Sequence, residues 1–136
     1  MQKTMTQNHV VYKDLSYKIC GILLKVHNEL GPYCSEKQYG DKIEYHFKLE
    51  NIPYEREVVI PISFEGERPG RNKTDFIVAN KIVLEIKTVR MLDPECYYQV
   101  QRYLKAINKK LGILVNFRDR YLKPKRILNS AAKEED

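Results

Sequence analysis

From residue 14 to residue 30, apolar residues recur at steps of three and four. Ile19, Ile22, Leu23, Val26 and Leu30 form one stripe, which predicts an amphipathic helix. Gly31-Pro32 ends it, because glycine takes a left-handed cap and proline cannot continue a helix. Ser35 is placed to cap a second helix reaching about residue 49, with Tyr39, Ile43 and Phe47 on its buried side. After the turn at Asn51-Ile52-Pro53 the period changes to two. The pattern predicts a long strand over 54–64, a charged loop over 65–73 and a short strand over 74–78. A tight turn at Ala79-Asn80 leads into a further strand over 81–89. That last strand holds the most nearly continuous apolar run, which suits the middle of a sheet. Asp93-Pro94 opens a third helix to about residue 108. Strands over 111–117 and 121–128 follow. This order predicts an α/β domain with a mixed sheet.

Two charges interrupt the most apolar strand. Glu85 and Lys87 are two apart and share one face, while Leu84 and Ile86 take the other. Charges inside a buried strand are costly unless they are satisfied or useful. Asp75 lies one hairpin earlier. If Val78 pairs with Lys81, Asp75 falls opposite Leu84 and diagonal to Glu85, and a one-residue shift of register decides which face it uses. Two carboxylates there suit a hard divalent cation, and a neighbouring lysine can orient or deprotonate water or offset developing charge. A salt bridge on a water-facing sheet surface accounts for the same spacing. On the third helix, Gln99, Arg102 and Ala106 make one stripe, and Tyr97, Val100, Leu104 and Ile107 another that fits the sheet. Gln99 is placed to lean toward the acidic pair and hold a water or a phosphate oxygen. Glu36, in the first turn of the second helix, points roughly with its core-facing stripe. Two explanations fit it: an interaction with the positive end of the helix, or a site beside the sheet.

The chain of 136 residues is 43% hydrophobic and 31% charged, ordinary for one globular domain with its core over about 14–128. No run is long and apolar enough to span a membrane, and the polar stretch 1–9 lacks the apolar centre of a secretory signal, so a cytoplasmic location is expected. Three cysteines without CxxC spacing and three scattered histidines give no zinc pattern. The net charge of +6 is unevenly placed: residues 102–126 carry nine basic residues against Asp119 alone. Arg102, Arg118, Arg120, Lys123, Lys125 and Arg126 are the candidate contacts to a polyanion, with nucleic acid the partner expected and DNA ahead of RNA. The acidic end, 131–136, is expected to fray.

Taken together, Asp75, then Glu85-Ile86-Lys87, then a helix carrying Gln99 resembles the PD-(D/E)XK nuclease superfamily, whose core is αβββαβ and restriction-endonuclease-like. More narrowly, the chain resembles the small prokaryotic GxxExxY proteins. The residues that carry this are Gly31 to Tyr39, Lys73 to Val78 leading into Val83 to Lys87, Gln99 to Leu104, Leu111 to Phe117, and Lys125-Arg126-Ile127. Tyr33 stands where the name-giving glycine would be, and Gly31 lies two residues earlier. The resemblance implies Asp75 and Glu85 as Mg²⁺ ligands, with Mn²⁺ a possible substitute. Glu36 would bind a metal-coordinated water or a second ion, Lys87 would be the catalytic lysine, and Gln99 would align water or phosphate. It implies a metal-dependent nuclease. The alternatives are a nucleic-acid-binding module that does not cut and an accessory protein with a relic site. An open sheet edge and the need to cut two strands make a homodimer the expected assembly.

Overall fold

In a computed structural model, residues 9–135 are described; the polar stretch 1–8 and the terminal Asp136 lie outside them. Helix α1 spans Lys13–Leu30 and buries Ile19, Ile22, Leu23 and Val26. It stops at Gly31, whose φ of 75° lets its N–H reach the His27 carbonyl at 2.8 Å. Helix α2 spans Glu36–Leu49 behind a capping box. Ser35 Oγ accepts from the Gln38 N–H, and Gln38 Oε1 accepts from the Ser35 N–H. Helix α3 spans Pro94–Ile107 and is capped by Asp93, whose carboxylate accepts from the Cys96 N–H.

Strands β1 (Tyr54–Val59), β2 (Lys73–Val78), β3 (Ile82–Lys87), β4 (Leu111–Asn116) and β5 (Lys125–Leu128) form one sheet in chain order. β3 and β4 run parallel across the α3 crossover, and the other neighbours are antiparallel. This mixed sheet flanked by helices is the expected restriction-endonuclease-like α/β core. Apart from β2, the strands are shorter than their patterns predict, with β3 spanning Ile82–Lys87 rather than 81–89, and β1 and β5 shortened most. β1 stops at Val59 because Pro61 has no N–H for the ladder, and the chain then folds into a turn in which the Ser63 N–H meets Glu67 Oε1 at 2.7 Å. β5 begins only after Pro124. The hairpin is also one residue off: Ala79 and Asn80 both take positive φ, the Lys81 N–H closes the turn on Val78, and pairing resumes as Val78↔Ile82.

The sheet is packed on both sides. α1 and α2 cover one face, where Leu23, Tyr39, Ile43 and Phe47 meet Phe76, Leu84, Ile113 and Val115. α3 covers the other, setting Val100 and Leu104 on Val83, Leu114 and Ile127. Glu134 and Glu135 contact the start of α1. Glu134 accepts from the Tyr12 N–H at 2.9 Å and from His9, the Glu135 N–H meets the Tyr12 hydroxyl, and Ala132 is buried. The Glu134 carboxylate serves the start of α1, where Tyr12 supplies no side-chain cap of its own. Among the described residues no helix is long and apolar enough to cross a membrane.

α3 approaches β4 closely because Gly112 has no side chain: a Cβ there would lie 2.6 Å from Val100 Cγ1. Gly112→Ala is therefore expected to destabilise the fold by about 1–3 kcal/mol through overpacking. Gly21→Ala, in the open middle of α1, should stabilise by up to about 1 kcal/mol. Paired urea titrations check both, and equal midpoints for the two variants would refute the close-packing account.

Candidate active site

The ladder between β2 and β3 pairs Phe76 with Leu84, which sets Asp75 opposite Glu85 rather than opposite Leu84 as the simpler turn would have it. From there side chains replace the backbone as hydrogen-bond partners. Asp75 Oδ2 accepts the Ile86 N–H at 2.6 Å, and Glu85 Oε1 accepts the Asp75 N–H at 3.0 Å and the Thr74 hydroxyl at 2.9 Å. Each carboxylate thus ties one oxygen to the neighbouring strand. The other two, Asp75 Oδ1 and Glu85 Oε2, accept no hydrogen bond among the described residues. They are not sealed in, because the one fully buried side-chain polar atom left unpartnered there is His46 Nδ1. Both acids are shifted. Burial, then the Glu36 carboxylate, pushes Asp75 up, against the pull of Lys87; burial, then Asp75, pushes Glu85 up. Two acids held together in this way offer a pair of free oxygens on which a positive charge would be favourable.

Lys87 supplies one charge. Its Nζ lies 3.9 Å from Glu85 Oε2 and donates to Gln99 Oε1 at 3.1 Å, so the helix glutamine aims the lysine. Gln99 sits one residue before Val100, which anchors α3 to the sheet, and this fixes its reach. Lys87 and Gln99 line one cavity with Tyr98 and Arg102. The backbone carrying Lys87 is held from β4: its carbonyl accepts the Phe117 N–H at 2.9 Å, and the buried Asn116 amide bonds Val89 through both its oxygen and its nitrogen.

Glu36 and Asp75 line a second cavity, together with Thr74, Arg56 and Ile86, and the Glu36 carboxylate is near enough to act on Asp75. Ser35 and Gln38 supply the side-chain caps of α2; Glu36 is exposed in its first turn, off the buried stripe, near the positive end of the helix and beside the cavity that Asp75 also lines. Tyr39 shapes its approach. Its hydroxyl donates to the Gly31 carbonyl and accepts the Cys34 N–H, while its ring stacks on Phe117 with centroids 4.2 Å apart. Beside the same cavity Arg56 bonds Asp41 and Glu44 and passes over Gly40, where a Cβ would meet the guanidinium. Glu57, across from Asp75 in the β1 register, sits at φ 55° and leaves the ladder, a backbone strain of the kind that gathers at functional sites.

The basic candidates separate. Arg118, Arg120, Lys123 and Lys125 follow β4 at the end of the sheet where Lys87 lies. Arg102 stands apart from them, on α3. Arg126 is committed to the fold, with its guanidinium on Ser16 Oγ and the Val11 carbonyl, both at 2.8 Å. Sequence reasoning missed Thr74, Asn116 and the hydroxyl of Tyr39. None had a distinguishing spacing; the threonine's place beside Asp75 in the strand was the one available hint.

Two carboxylates with free oxygens fit a hard cation such as Mg²⁺, which commonly takes one or two protein carboxylates and fills its shell with water and phosphate oxygens. Among the described residues no group of three or more His, Cys, Asp and Glu side chains stands close enough to hold a metal ion. No curated protein and no solved structure matches the chain. A family model does, over residues 13–127, and by that match, which runs from α1 into β5, the chain belongs to the PD-(D/E)XK nuclease superfamily.

Proposed function

We propose that the protein is a Mg²⁺-dependent nuclease that hydrolyses phosphodiester bonds, of the GxxExxY kind within its superfamily. The observation that carries this is the Asp75–Glu85 pair, opened out of the β2–β3 ladder with one free oxygen each, beside a lysine aimed by Gln99. Asp75 and Glu85 would hold the ion, which supplies Lewis-acid polarisation of a phosphodiester oxygen and makes water more acidic. Lys87 Nζ orients the attacking water or offsets the charge that builds on the phosphate. Gln99 holds Lys87 through its oxygen and keeps its amide nitrogen for a phosphate oxygen. Glu36 orders water in the cavity it lines with Asp75. Arg118, Arg120, Lys123 and Lys125 hold the backbone of the polymer, with Arg102 reaching it from α3, and such contacts position without reading sequence.

DNA is the first substrate to test, in a cytoplasmic setting, with Mn²⁺ a substitute for Mg²⁺. The outer edge of β1 offers a second copy a place to pair, and a homodimer is the assembly proposed. A second reading, a binding module with a relic site, draws on the absence of a third close ligand among the described residues. Calorimetry separates the two. Titrating Mg²⁺ into wild type and an Asp75→Asn, Glu85→Gln double variant, both checked for folding by circular dichroism, should give saturable binding in wild type alone. The titration is repeated with a DNA duplex present, since phosphate oxygens complete the shell. Identical traces under both conditions would favour the relic site.

A further inference from the structure

We propose that the nucleic-acid strand entering this site does so unpaired, with its bases stacked on Tyr33 and Tyr121. The inference deepens the nuclease reading by naming the substrate class, and its relevance to catalysis rests on that reading. Tyr33 and Tyr121 are 83% and 70% exposed, among the most solvent-facing aromatic side chains of the protein. Each already has an arginine on one ring face: Arg118 lies 5.6 Å from the Tyr33 centroid, and Arg120 lies 5.5 Å from that of Tyr121. The first pair is fixed in place, since Arg118 Nε donates to the Pro32 carbonyl at 3.0 Å. An arginine on one face leaves the other to solvent, where a base can complete the stack.

The first pair is tied to the frame of the site, and Arg120 and Tyr121 follow Arg118 in the same loop. Tyr33 stands three residues before Glu36, in the loop that Tyr39 clamps. Arg118 follows Phe117, whose N–H holds the Lys87 carbonyl and whose ring stacks on Tyr39. Lys123 and Lys125 extend the positive surface along the chain toward β5. Positive charge alone would serve a duplex equally well. Exposed tyrosine faces would not, because duplex bases are already stacked on one another and show only their edges. Rings and cations in alternation match a single strand, whose bases are free to splay onto aromatic side chains while its phosphates meet the arginines and lysines.

The test is fluorescence anisotropy with a labelled short oligodeoxynucleotide, and with its blunt duplex, at one fixed salt concentration in EDTA. Wild type is expected to bind the single strand at least about tenfold more tightly than the duplex, the size of one base stack. Tyr33→Ala, Tyr121→Ala should lose that advantage and leave duplex affinity unchanged, whereas Tyr33→Phe, Tyr121→Phe should keep it. Both side chains are exposed, so these variants should fold as wild type does, which circular dichroism checks. Equal affinity for the two probes, no binding to either, or a single-strand preference untouched in the alanine pair would each overturn the proposal. With no metal present and no bond cut, the result is separate from the nuclease reading. A protein that holds single strands through these tyrosines yet never cleaves with Mg²⁺ would sink that reading and spare this one.

Discussion

Lys87→Ala is expected to slow Mg²⁺-dependent phosphodiester cleavage by about 10²–10⁴-fold, the usual worth of a positioned proton-transfer group or charge at a reacting centre. The lysine is half-buried, and its contacts among the described residues are the Gln99 oxygen and the more distant Glu85 carboxylate. Neither contact holds the sheet together, so the far-ultraviolet spectrum of the variant should match wild type. Lys87→Arg separates two roles. A guanidinium keeps the charge but stays protonated throughout the working pH range. Partial rescue by arginine would assign Lys87 to charge stabilisation; failure of arginine to rescue would fit water activation by the amine. Single-turnover rates on a labelled DNA substrate read both. Wild-type rates in Lys87→Ala would remove the lysine from the chemistry altogether.

The lysine was readable because a charge on a nearly continuous apolar strand needs a reason, and Gln99 because helical spacing set it on the stripe beside Val100. Asp75 was readable as a residue type only. Its partner depended on a turn in which Ala79 and Asn80 take positive φ without a glycine to announce it, and that turn moved the register by one. Facing Glu85 directly, Asp75 can exchange side-chain for backbone hydrogen bonds; from a diagonal position it could not. Tyr39 gave half its content: periodicity sees an apolar ring and says nothing of a hydroxyl that joins two loop backbone groups. Arg126 and the acidic end show the same limit. Charge is visible in a sequence, but its partner is not when Arg126 meets Ser16 110 residues away and Glu134 meets Tyr12 122 residues away.

In the metal-free protein, stability is expected to fall as pH rises from about 4 to 8. Asp75 is pushed up from 3.8 to about 6 and Glu85 from 4.5 to about 8, chiefly by burial and then by neighbouring carboxylates. Across that window the folded state binds more protons than the unfolded chain, so each rise in pH favours unfolding. The contribution is fully present below the unfolded-state values and gone above the folded ones. The two protons leave in steps that belong to the pair. Glu85→Gln keeps an oxygen for Thr74 and the Asp75 N–H while removing the charge. It should flatten the profile and raise the melting temperature in EDTA at pH 8. Mg²⁺ should reverse the trend in wild type, stabilising it more at pH 8 than at pH 5, because protons compete with the ion for the same two oxygens. Glu85→Gln should gain little from the ion at either pH. Thermal melts of both proteins, with EDTA and with Mg²⁺, decide it. Parallel profiles in EDTA would place the pH sensitivity elsewhere in the protein, and equal Mg²⁺ stabilisation of both would remove Glu85 from the metal site.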